Sequence, residues 1–562
     1  MEPALTFAGL VLFSAAATAQ APCGAPGVDL AVEFGSPLNR VAVAGVDALA
    51  FAFQPVNLGS APASWSTTSA DHPVIGLGLA RFRVVNGASR MEQIGMSWAR
   101  HVTIPALQTG NFCSCAPSAG ATLGPGCNDT LSAPGNALAA NLGPRHEVTP
   151  HAGTHLHPHT PASGGSFPGQ LQFAPSDVTN GAGERYVVEA HVVAQDDATN
   201  AATSNNTTWL ELTAAATGTD ATFALVGASH RGATVLDAWK ELDPAVQIVE
   251  WDSQGDGRVQ VAWCVTQTAP STWHYEYAVY NRNYSPGIGR FLLTVPPSAP
   301  PSNVEFHDVA YHGADGLGGV TQSGVDWSSS IVVDPLQDAD TLQWMTPHVS
   351  QDPNANALRW GTTYAFRFDC DRPPMPGFVL VEAFEPTTGA SSATLIAEIP
   401  LNTDTLIWSY CYGDGQGLLC PCGNHSPHGH GEGCTNSLGT GGHLRADGWS
   451  SLALETLTLR GTQMPNSTAL YLQGTVPTGM GLGTLLGDGL LCIGGSLVRL
   501  GTKTNVAGAS QFPDAGDPPL SVRGGVVPLT TYRYQIWYRN AAAFCTSATF
   551  NLSNAVNVTW VP

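Results

Sequence analysis

Lysine is almost missing from this sequence: Lys240 and Lys503 are the only two, and all bases together number 22 against 43 acids, a formal charge of −21. So acidic a surface has no basic stripe with which to neutralise phosphates. It excludes nucleic acid and anionic membranes as partners, and it suits solubility in salt or the company of divalent cations. No apolar run reaches the ~20 residues of a helical membrane span, so no integral membrane span is expected. Windows with helical periodicity are nearly absent. Also lacking are a Gly-x-Ser-x-Gly elbow, an HExxH pair, a phosphate loop and a dinucleotide fingerprint, which disfavours the commonest hydrolase and nucleotide chemistries. Glycosidases and lyases leave no short motif and stay open.

What is present starts with an export signal. Leu5 to Ala19 is one apolar run ending in Ala17-Thr18-Ala19, which reads as a secretory segment (1–19) cleaved before Gln20. Its first residues carry Glu2 and no Lys or Arg. Gln20-Ala21-Pro22 lacks the context of a lipidated cysteine at Cys23, so the expectation is a secreted, extracellular or cell-envelope-associated protein. The 12 cysteines of an exported chain are read as disulfides, and an even number allows full pairing. Cys113, Cys115 and Cys127 suggest one local bridge plus a longer one, to Cys23, Cys264 or Cys370. Cys411, Cys420, Cys422 and Cys434 crowd one Gly/Pro-rich stretch, with Cys492 and Cys545 beyond it. That stretch can form neither a long helix nor a regular strand, so covalent ties are what would order it.

The 62 glycines and 41 prolines, with recurring period-2 segments, give an all-β expectation: a multi-domain β-sandwich architecture. Strands are predicted at Val41–Phe53, Leu77–Val85, Arg185–Ala194, Val259–Thr266, Trp273–Tyr280, Val304–Tyr311, Phe378–Phe384, Leu452–Leu459, Ala469–Leu472, Gly495–Leu500 and Tyr532–Arg539, and one helix at Ala233–Leu242, stopped by Asp243-Pro244. Charge marks the organisation. From Cys411 onward seven acids meet seven bases, so the whole −21 lies before it. The reading is a large acidic all-β region over 20–400, two packed sandwiches or a supersandwich, a linker over 401–410, and a smaller disulfide-stapled β-sandwich over 411–562.

The runs GDGQGLLCPCGN…GCTNS (Gly413 to Ser437), MPNSTALYLQG (Met464 to Gly474), GDGLLCIGGSLVRLGTKTNVAGASQ (Gly487 to Gln511) and YRYQIWYRNAAAFCTSATFNLSNAVNVTW (Tyr532 to Trp560) resemble a C-terminal module of secreted proteins from planctomycete-type bacteria. IGMSWARH (Ile94 to His101), LGPRHEV (Leu142 to Val148), WHYEYAVYN (Trp273 to Asn281), FHDVAYH (Phe306 to His312) and DPNANALRWGTTYAFRFD (Asp352 to Asp369) resemble uncharacterised exported proteins of the same bacteria. The resemblance implies export and modular architecture, and brings no catalytic residue with it.

Four groups of residues are candidates for chemistry. In TPHAGTHLHPHT, His151 precedes His155, His157 and His159, and an extended backbone would place the last three on one face, ~6–7 Å apart at each step, a workable copper or zinc arrangement. Against it stands an exposed His-rich loop. His425, His428 and His430 lie between Cys422 and Cys434, where a Cys/His metal knuckle competes with the favoured disulfides. Asp252 to Gly257 begins like a calcium loop, but Trp263 stands where a bidentate Glu is required, and a plain turn is the better reading. His274, Glu276, His307, Asp308 and His312, with Asp315, form the best acid/base pool, against the default of buried, satisfied polar groups. The expected function is therefore binding, adhesion or display, with a polysaccharide or cell-envelope component as partner. The alternatives are a polysaccharide hydrolase or lyase working through that His/carboxylate pool, and a copper- or zinc-binding secreted protein. The cofactors they allow are copper, zinc or calcium.

Overall fold

The computed structural model describes residues 23–40, 45–103, 106–181, 183–201, 203–217, 219–333, 340–401, 406–452, 455–528, 530–540 and 544–561. The export signal expected over 1–19 lies outside them. Strands dominate, and the four described α-helices run from four to eight residues. The chain divides into two compact units. One takes the residues up to Thr294 with Pro301–Val332 and Leu342–Ile399; the other takes Val295–Pro300, Val333–Thr341 and Pro400–Pro562.

The first unit is all-β and holds two bodies. A ten-stranded sheet begins with the hairpin Leu30–Arg40 and Asp47–Asn57, passes through Ala88–Met96, Val74–Val85, Arg185–Val193 and Thr207–Ala216, and ends at Ala221–Arg231. It curls until its ends meet. Asn39 and Phe223 exchange hydrogen bonds at 3.0 and 2.7 Å, and Arg231 lies 2.6 Å from Glu33. Inside it are buried Leu30, Phe51, Ile75, Leu77, Leu171, Tyr186, Val188 and Leu210. The second body is a sandwich of two five-stranded sheets. In Thr272–Asn281, Tyr275 and Tyr277 face inward, where Tyr277, Phe291, Trp344, Phe366 and Phe368 interlock with ring centroids 4.7–6.4 Å apart.

The opposite face of that strand, with Ala278 and Tyr280, meets the one substantial helix, Val235–Leu242, which buries Leu236 and Trp239 against Phe82 and Met91 of the ten-stranded sheet. A capping box starts this helix: the Thr234 hydroxyl accepts from Asp237 N, and Asp237 accepts from Thr234 N. Arg145, itself buried, ties the two bodies by donating to the carbonyls of Leu77, Ser97, Trp360 and Gly361.

The second unit is a smaller sandwich of a five-stranded sheet, with Thr468–Gly474, Thr530–Arg539 and Phe550–Trp560 at its centre, and a three-stranded one. Ile407–Tyr410, inside the stretch expected as a linker, is the edge strand paired to Phe550–Trp560. The strand expected from Leu452 begins only at Thr458. Ten cysteines form five disulfides: Cys23–Cys113, Cys115–Cys127, Cys411–Cys492, Cys420–Cys434 and Cys422–Cys545. Full pairing is not realised. Cys264 and Cys370 are buried thiols, pushed up to about 11 by burial, on opposite faces of one sheet. With Cys420, Cys422 and Cys434 all oxidised, no thiolate remains for a metal knuckle beside His425, His428 and His430.

Candidate metal centre

Three separate segments of the first unit bring histidines together. His72 ends a loop and, through Pro73, feeds the strand Val74–Val85. His101 closes the short strand Ala99–His101, whose register sets it opposite Val74. On its other edge that strand pairs with Leu142–Gly143. His155 lies in the two-residue strand Thr154–His155, paired with Val148–Thr149. The turn between these two strands works because position 153 is glycine: φ is +72°, and a Cβ there would lie 2.2 Å from the Ala194 carbonyl oxygen.

One ring nitrogen from each of His72, His101 and His155 lies within 4.8 Å of the other two. His72 Nε2 is 3.2 Å from His101 Nδ1, close to the ~3.4 Å between neighbouring nitrogens on a tetrahedral zinc at ordinary bond lengths. The two residues are 3% and 0% exposed, and His155 is half-buried. His157 and His159 complete a five-ring cluster. The His157 ring is 5.7 Å from His72, and His159 stacks on His101 at 3.9 Å and 12°.

A hydrogen bond fixes which nitrogen of His72 is open. His72 Nδ1 lies 2.7 Å from the Ser69 carbonyl, which can only accept, so the ring proton is on Nδ1 and Nε2 offers its lone pair to the cluster. An imidazole held by a backbone carbonyl in this way is the usual second contact of a metal-ligating histidine. His155 has both nitrogens near carbonyls, Nε2 at 2.9 Å from His72 O and Nδ1 at 3.2 Å from Leu156 O. His101 Nε2 is buried with no hydrogen-bond partner. Burial, then repulsion from neighbouring imidazoles, lowers His101 to about 2 and His72 to about 4. His72 and His101 are thus neutral lone-pair donors at ordinary pH, the form in which histidine ligates a metal.

Of the residues expected in this site, His155, His157 and His159 are gathered. His151 is not: it occupies the hairpin turn, where its backbone N–H donates to Ser285 Oγ at 3.4 Å. Nor is the segment one long strand with three rings in a row. It is extended only at Thr154–His155, and the later rings fold around His72 and His101. Those two were missed. Each is a lone histidine beside a strand, 29 residues apart, and nothing local announces them.

The acid/base pool is dispersed. Ser302–His307 pairs with Thr362–Cys370, which separates it from Thr272–Asn281. His274 Nδ1 is 2.7 Å from Asp369 and its Nε2 is 3.2 Å from Glu276. Glu276 is also bound by Arg367 at 3.0 Å. His307 Nε2 meets the Gln93 carbonyl, Asp308 accepts from Asn356, and His312 Nε2 meets the Met96 carbonyl at 2.7 Å. Asp315 accepts from the backbone N–H groups of His312 and Gln322. His274 pairs with Glu276 and Asp369 in one place and His312 with Asp315 in another, while His307 and Asp308 are each held elsewhere. Asp252 and Asp256 belong to a hairpin turn, where Asp252 binds Arg258 and Asp256 accepts from Thr388 and Gly389. No family model matches the chain, and no curated protein sequence matches it.

Proposed function

We propose that this is an exported protein whose larger unit binds a transition-metal ion, copper or zinc, through His72, His101 and His155. The observation that carries the reading is the convergence of three ring nitrogens within 4.8 Å of one another, from three separate segments, with two of the rings buried. An exposed His-rich loop would not place its rings on buried histidines of two other segments. Five disulfides, and the absence of a membrane-spanning helix among the described residues, are compatible with a secreted or extracellular setting. This reading takes up the copper- or zinc-binding alternative of the sequence, apart from the binding, adhesion or display role with a polysaccharide or cell-envelope partner. The alternative of a polysaccharide hydrolase or lyase finds less support, because its residues lie in several places and its close pair, His274 with Glu276, is buried and already bound by Asp369 and Arg367.

Thermal unfolding of untagged, metal-stripped protein tests this. Adding copper or zinc at about 100 times its Kd stabilises by about 2.7 kcal/mol, and the shift vanishes in His101→Ala. Equal shifts in wild type and variant would overturn the proposal.

A further inference from the structure

Resting on that reading, we infer that the site selects copper(I) over divalent zinc. The cluster contains imidazoles alone: no carboxylate or thiolate joins His72, His101 and His155 among the described residues. Glu147, whose charge reaches His159, spends Oε2 on the backbone N–H of Thr160 at 3.0 Å. Adding His157 as a fourth ligand would bring another imidazole and no anionic group. Whatever charge the ion carries is therefore left uncancelled by its ligands.

The charge is left in a poor place for it. His101 is fully buried, and its chain neighbour Arg100 is 3% exposed. The Arg100 guanidinium donates through Nε to the neutral Asn136 Oδ1 at 2.9 Å, while its Nη1 is buried with no partner. The cost of burying an ion grows as the square of its charge, so a divalent ion meets about four times the desolvation penalty of a monovalent one, and about twice the repulsion from Arg100. Three neutral nitrogens satisfy copper(I) in trigonal geometry. Zinc prefers four ligands and gains most where some are anionic.

The test is a pair of chelator competitions on untagged full-length protein with its disulfides intact. Copper(I) is held by ascorbate under argon and competed with bicinchoninate; zinc(II) is competed with a fluorescent chelator. Copper(I) should bind at least about 100-fold more tightly than zinc(II). Arg100→Gln should narrow that ratio about tenfold, and Arg100→Lys should leave it within about threefold. Zinc binding as tight as copper(I) would overturn the selectivity while leaving the metal site standing. Binding of neither ion would overturn the site itself. Should Arg100→Gln fail to fold, the wild-type ratio decides.

Discussion

At the scale of single residues, the metal centre depends on a missing side chain as much as on those present. A Cβ at Gly143 would lie 2.7 Å from His101 Nε2 and 3.1 Å from the His159 Cβ. Gly143→Ala is expected to push the His101 ring aside, weaken metal binding at least about tenfold and cost about 1–3 kcal/mol of stability; isothermal titration and urea unfolding check the two effects. His312 carries a different prediction. Burial first, then Arg145, lowers it to about 4, against the opposing Met96 carbonyl. A histidine with a depressed folded pKa adds stability above its unfolded value of about 6.5 and loses it as pH falls toward 4, because only the unfolded chain takes up the proton in that window. His312→Gln should therefore flatten the fall of urea stability between pH 6.5 and 4 relative to wild type. Three of the five rings were legible in the sequence, since His155, His157 and His159 stand two residues apart. His72 and His101 join only through strand pairing, and a pairing of Val74 with His101 leaves no mark on either local sequence.

At the scale of elements, strands with strict alternation were the readable ones. Arg185–Val193, Thr272–Asn281 and Thr530–Arg539 lie within a residue or two of their expected bounds. The helix was readable because Leu236, Trp239 and Leu242 share a face and Asp243-Pro244 stops it; it begins at Val235, since Thr234, expected inside it, is its cap. Leu30–Arg40 and Ala221–Arg231, at the ends of the curled sheet, carry mixed burial and no clean period, so nothing separated them from loops. Disulfide partners were illegible for the same reason as the metal ligands. The Cys411 to Cys434 stretch is now seen to hold one internal bridge and two that reach 81 and 123 residues away. Loop-closure entropy orders their effects. Removing Cys422–Cys545 should cost about 2 kcal/mol more than removing Cys420–Cys434, which closes only 14 residues, as read by guanidinium unfolding of the paired serine variants.

At the scale of the whole molecule, the first unit's two bodies share a buried ion network. Arg367 of the sandwich meets Glu276 at 3.0 Å and Glu92 of the ten-stranded sheet at 3.1 Å, and Glu92 is bound in turn by Arg81 and Arg83. Glu92 is held down at about 2, its burial outweighed by these cations. Arg367→Met would leave two carboxylates buried with fewer partners and should cost about 3–5 kcal/mol in chemical unfolding. In the proposed metal site His72, His101 and His155 act as one centre. The most direct test of that proposal is elemental analysis of untagged protein equilibrated with copper or zinc and dialysed. The expected result is one tightly held ion per chain, lost together in His72→Ala, His101→Ala and His155→Ala. A metal content near zero, or one unchanged in those three variants, would contradict it.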